Sequence, residues 1–62
     1  MKPNEIKFNT IKLINGIKYL SENQMKDLKA YVLYALEIND TVENNKIIED
    51  AVRLYFKQNK NT

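Results

Sequence analysis

Asn44, Asn45 and Lys46 stand at the head of the apolar-rich run NNKIIEDAVRLYF, residues 44–56, and are the first residues whose type and spacing suggest chemistry. The start of a helix leaves backbone N–H groups without intrahelical partners and carries the positive end of the helix dipole. Two amides and an ammonium group at that point are donors suited to an anion. Four carboxylates lie close by in sequence, Asp40, Glu43, Glu49 and Asp50. They offer a hard cation weak binding at most, because they lack EF-hand spacing. Catalysis is not expected. The chain has no histidine, no cysteine and a single glycine, which excludes Cys/His metal or redox sites and a Gly-rich phosphate loop. No hydroxyl nucleophile has a recognisable base beside it. Accordingly no cofactor, metal or small-molecule ligand is expected.

Charge gives a second lead. The net charge is only +2 over 62 residues. It is unevenly placed: residues 1–20 hold Lys2, Lys7, Lys12 and Lys18 against Glu5, a net +3, and the remainder is at −1. A basic N-terminal segment on a nearly neutral body suits an anionic partner such as nucleic acid. The same lysines would also serve simply to solubilise the chain.

Two helices are expected to position these groups. Ser21-Glu22-Asn23-Gln24 fits a capping box, with Leu20 and Met25 placed for a hydrophobic staple. Met25, Leu28, Val32, Ala35 and Leu36 then recur at helical spacing, so a helix is expected over 22–37. After the polar break Ile38–Thr41, a second helix is expected over 42–58, with Asp40-Thr41-Val42-Glu43 as its capping box and Asn44 as an alternative, later cap. Its apolar face is Ile48, Ala51, Val52 and Tyr55, and Glu49–Arg53 is a favourable i,i+4 pair. The stretch TIKLINGIKYL, residues 10–20, alternates apolar and lysine-bearing positions and is rich in β-branched residues. A strand within 10–20 is therefore expected, either as one extended segment or as a hairpin turning at Asn15-Gly16. Residues 1–9 are expected to form a flexible basic arm and 59–62 a frayed tail.

At this length a single core is marginal without disulfides, a metal or a second subunit. With 44% hydrophobic residues and no cysteine, a homodimer is the expected solution. The longest apolar run, Ala30–Leu36, is far short of the roughly 20 residues of a membrane span. With no secretory signal in view, a cytoplasmic location without membrane contact is expected.

The order strand, capped helix, short polar loop and second helix resembles the ribbon-helix-helix repressors of bacteria, phages and plasmids. Residues Asn44–Tyr55 resemble that family's second helix, and Leu20-Ser21-Glu22 resembles its junction between ribbon and first helix. The resemblance spans residues 10–57 and consists of patterns of residue class. It implies a mainly α fold with one β-strand, an intertwined homodimer in which an intermolecular two-stranded antiparallel ribbon lies over four helices. The shared dimer core would then comprise Ile11, Leu13, Leu28, Val32, Leu36, Ile48, Val52 and Tyr55.

In function, the resemblance implies a sequence-specific double-stranded-DNA-binding transcriptional regulator, an autorepressor of plasmid, phage or small-operon type. Dimers would bind operator repeats, with higher-order assembly on DNA. The ribbon would enter the major groove with Thr10, Lys12 and Lys18 as base contacts. Thr41, Asn44, Asn45 and Lys46 would hold phosphates, and Lys2 and Lys7 on the arm would add a salt-sensitive term. Stepping by twos from Leu20 meets Lys18 and Gly16, so the ribbon lies either in the odd-face-inward register or earlier, within 9–14. Glu43 is close to the phosphate site and would repel it unless it turns away. The alternative function is a small helical protein-interaction module, antitoxin-like or partner-docking, without direct DNA reading.

Overall fold

Pro3 opens a helix rather than an arm. The computed structural model describes residues 1–59 and contains three helices, α1 (Pro3–Ile14), α2 (Glu22–Leu36) and α3 (Val42–Asn59). No strand occurs among the described residues. The expected mainly α fold with a β-ribbon is therefore corrected to an all-helical bundle, and the ribbon-helix-helix architecture is overturned with it. The expected 1–9 arm and the first half of the expected strand are one continuous helix. The frayed tail expected at 59–62 falls, after Asn59, outside the described residues.

The physical reason lies in which period wins. Read from Thr10 onward, the segment alternates; read from Pro3, Ile6, Thr10 and Ile14 recur every four residues on one helical stripe. Those three side chains are the buried residues of α1. Proline in the first turn costs the helix nothing, since its missing N–H would be unpaired there anyway. Thr10, the one polar residue of the stripe, is fully buried, and its hydroxyl donates to the Ile6 carbonyl at 2.7 Å. That bond satisfies the polar group inside the apolar core. Asn15 and Gly16 then end the helix, Gly16 at φ 101°, a conformation that suits glycine.

The start of α2 has the expected capping box: the Gln24 N–H donates to Ser21 Oγ at 3.3 Å, and the Ser21 N–H donates to Gln24 Oε1 at 3.0 Å. Its end is a Schellman turn. Glu37 takes the left-handed conformation at φ 55°, its N–H donates to the Tyr34 carbonyl, and the Ile38 N–H donates to that of Leu33.

Ile6, Ile14, Val32, Leu33, Ile48 and Val52 form the core, with Leu13, Ile17, Leu20, Met25, Leu28, Leu36, Tyr55 and Phe56 among the residues packed around it. Each fully buried aliphatic side chain contributes about 1.5–3 kcal/mol. α1 packs mainly on α3 and runs in the same direction. Ile6 shares a pocket with Asn44 at one end, and the Gly16 N–H donates to the Tyr55 hydroxyl at 2.9 Å at the other. α2 runs antiparallel to both, bringing Leu20 and Met25 against Phe56. The residues expected to build a core shared by two chains therefore sit in one chain: Val32, Ile48 and Val52 are fully buried, Leu13, Leu28, Leu36 and Tyr55 pack on them, and Ile11 is half-buried. No described helix is long and apolar enough to cross a membrane.

Candidate nucleic-acid interface

Because α1 buries Ile6, Thr10 and Ile14, its opposite face must point outward. At about 100° per residue, that face centres on Phe8, with Asn4, Glu5, Ile11, Lys12 and Asn15 around it, and Lys7 stands beside the buried stripe. Phe8 is 62% exposed, and Asn4, Lys7, Lys12 and Asn15 are exposed too. The Lys12 ammonium lies 5.5 Å from the centroid of the Phe8 ring, a cation–π contact that holds the lysine along the helix surface. Beyond Gly16 the chain continues without regular structure, and here Lys18 and Tyr19 are both exposed, Tyr19 at 78%. The hydrogen bond from Gly16 to Tyr55 ties the root of this segment to α3. Lys2, Lys7, Lys12 and Lys18 are thus all on the surface, at the N-cap of α1, on α1 and on the segment that follows it.

Of the three expected base contacts, Thr10 is corrected: buried and bonded to Ile6, it offers nothing to a base edge. Lys12 and Lys18 are accessible, now from a helix and a loop instead of a strand. Phe8, which no expectation singled out, and Tyr19, expected as core or rim packing like the other tyrosines, place exposed aromatic faces beside Lys12 and Lys18. The signal for Phe8 was its position opposite the Ile6/Thr10/Ile14 stripe.

The expected phosphate contacts at the start of α3 form a closed cap. Thr41 Oγ1 accepts the Asn44 N–H at 3.1 Å, and Asn44 Nδ2 donates to the Asn39 carbonyl at 2.9 Å. Asn45 Nδ2 donates both to Asp40 Oδ1 and to the Thr41 carbonyl. These bonds turn both asparagine side chains back onto the loop and the first turn. The Asp40 carboxylate, brought against Asn45, adds repulsion. Lys46 is exposed on the outward side of α3, with Glu43 and Asp50 on the same side. The structure therefore brings Thr41, Asn44 and Asn45 together as a helix cap and leaves Lys46 apart from the α1 lysines.

Elsewhere, Glu49 and Arg53 form the expected surface pair at 3.2 Å, worth at most a few tenths of a kcal/mol. Among the described residues no three acidic groups stand close enough to hold a metal ion.

No family model matches this chain, and neither a curated protein nor a solved structure matches it. The reading of function therefore rests on the residues themselves. What α1 and residues 15–19 present is a basic, amide-bearing surface with two exposed aromatic rings. Such a surface can neutralise phosphates and offer hydrogen bonds to base edges.

Proposed function

We propose that this chain is a double-stranded-DNA-binding regulator that meets the duplex with α1 and the segment Asn15–Tyr19. The observation that carries the reading is the exposure of all four N-terminal lysines along α1, its N-cap and its following loop, against a single acid, Glu5. A helix of 12 residues is about 18 Å long and of a width that the major groove admits. Lys2, Lys7 and Lys18 neutralise phosphates. Asn4, Lys12 and Asn15 stand on the outward face, where an amide suits adenine and an ammonium suits guanine.

The test is retardation of DNA from upstream of the protein's own gene, titrated at several salt concentrations with random DNA as competitor. Three or four phosphate contacts give a log–log salt slope of about −3 to −4. Lys7→Ala flattens the slope by about 1 without relaxing sequence preference. Lys12→Ala weakens preference for the specific site. Failure to retard either DNA at low salt would overturn the proposal.

A second reading, a helical module that docks on a protein, is favoured by the second half of α2, where Tyr31 and Tyr34 are exposed and no residue from Ala30 to Leu36 is charged. Such docking is far less sensitive to salt, which separates the two readings in the same titration.

A further inference from the structure

Asn15 is followed by Gly16, the only glycine of the chain, so this is its one Asn-Gly pair. The two residues occupy the middle of a type II turn over Ile14–Ile17. Asn15 lies at φ −59°, ψ 126° and Gly16 at φ 101°, and the Ile17 N–H donates to the Ile14 carbonyl at 3.0 Å. Asn15 is exposed, and nothing beyond its chain neighbours lies within 4 Å of where a Gly16 Cβ would stand. The Gly16 N–H donates to the Tyr55 hydroxyl at 2.9 Å.

We infer that Asn15 is a site of spontaneous deamidation and that Tyr55 sets its rate. The Gly16 nitrogen attacks Cγ of the Asn15 side chain. The N–Cγ bond forms, the Cγ–Nδ2 bond breaks, and the amide leaves as ammonia, carrying away the proton that the Gly16 nitrogen gives up. Water then opens the five-membered imide at either carbonyl, giving aspartate or isoaspartate; in the latter the main chain runs through the former side chain. Glycine favours the attack because it brings no side chain to shield its nitrogen, and every other asparagine is followed by a residue that has one.

The turn opposes this reaction. Ring closure needs the Gly16 nitrogen on the Cβ side of Asn15, and at ψ 126° it is turned away. The backbone must therefore rotate, and the bond to Tyr55 must break. Tyr55 packs against the core, so its hydroxyl is a fixed acceptor. Deamidation proceeds through local opening of the turn, which Tyr55 holds down. The product exchanges an amide for a carboxylate on the outward face of α1 and takes the net charge from +2 to +1. The chemistry is independent of DNA binding. Its consequence rests on that reading: the new charge faces phosphates and weakens retention of the duplex.

The test is incubation of the full folded chain in mildly alkaline buffer, followed by intact-mass measurement and peptide mapping, with no DNA present. The mass rises by one unit per event, and the change maps to Asn15 ahead of every other asparagine. Tyr55→Phe accelerates conversion about two- to fivefold, the factor that a net hydrogen bond of about 0.5–1 kcal/mol supplies. Thr41→Ala removes the cap of α3 at the far end of the bundle and lowers global stability, yet leaves the Asn15 rate unchanged. Conversion of Asn23 as fast as that of Asn15 would overturn the site. A Tyr55→Phe rate equal to the parent's would overturn the control by Tyr55, as would an equal acceleration by Thr41→Ala.

Discussion

Replacing Ile6 by alanine tests whether the N-terminal residues belong to the core. Ile6 is 2% exposed and packs with Ile14, Val32, Leu33, Ile48 and Val52. The substitution removes three carbon groups, which at about 0.8 kcal/mol each is about 2.4 kcal/mol of transfer free energy. The residual cavity brings the total to about 2.5–4 kcal/mol, within the range for large-to-small core changes. At about 0.05–0.15 kcal/mol per residue, a domain of this size is stable by about 3–9 kcal/mol. Ile6→Ala therefore removes about a quarter or more of the total, and unfolds the protein outright if it lies at the low end. Urea unfolding followed by far-ultraviolet circular dichroism measures the loss as a fall in midpoint at constant slope. Phe8→Ala, two positions away on the exposed face, is the control and changes stability by less than about 1 kcal/mol, the scale of its cation–π contact with Lys12. An Ile6→Ala midpoint indistinguishable from that of Phe8→Ala would refute the reasoning, because an arm free of the core loses nothing on truncation.

Three further outcomes follow from backbone and hydrogen-bond geometry. Glu37 holds a left-handed conformation at φ 55° that glycine adopts without penalty, so Glu37→Gly stabilises by about 0.5–1 kcal/mol and raises the melting temperature by a few degrees. Gly16 has open space around its Cα but a φ of 101°; Gly16→Ala costs about 1–2 kcal/mol through backbone strain alone, seen as a lower urea midpoint. Tyr55→Phe removes the hydroxyl that accepts the Gly16 N–H and costs about 0.5–1 kcal/mol, a modest value because water can replace that acceptor at an exposed site. Hydrogen exchange should then be faster at the Gly16 amide than at the buried helical amides.

Ser21 and Gln24 could be read directly because a capping box is local: both partners lie within four residues, and both bonds form. α1 could not be read so simply. Ile6, Thr10 and Ile14 are β-branched, and lysines fall between apolar residues in a way that also fits a strand. The choice between periods 2 and 3.6 is settled by Val52 and Ile48, against which the stripe packs, and no local rule contains them. Thr10 shows the same limit at the site: a threonine at this position suits a base or an i−4 carbonyl equally, and only burial decides. At the start of α3 the expected capping box of Asp40 with Glu43 does not form; the cap is one residue later, Thr41 accepting the Asn44 N–H, while Asp40 accepts from the Asn45 amide instead. Lysines, by contrast, are exposed almost regardless of fold, which is why Lys7, Lys12 and Lys18 remain available whatever the backbone around them does.

The parallel packing of α1 on α3 has a consequence for the order of folding. α2 and α3 are joined by five residues and can meet early, as neighbours in sequence. α1 must instead find a helix that begins 28 positions after its own end, and the bond from Gly16 to Tyr55 spans 39 positions. Closing that loop costs chain entropy before its contacts repay it, which raises the contact order and slows the final step. Residues at the α1–α3 seam therefore dock late and have low φ-values, so substitutions there mainly accelerate unfolding. A nascent chain faces the same constraint in time: α1 leaves the ribosome before α3, yet waits for it before its apolar stripe is covered.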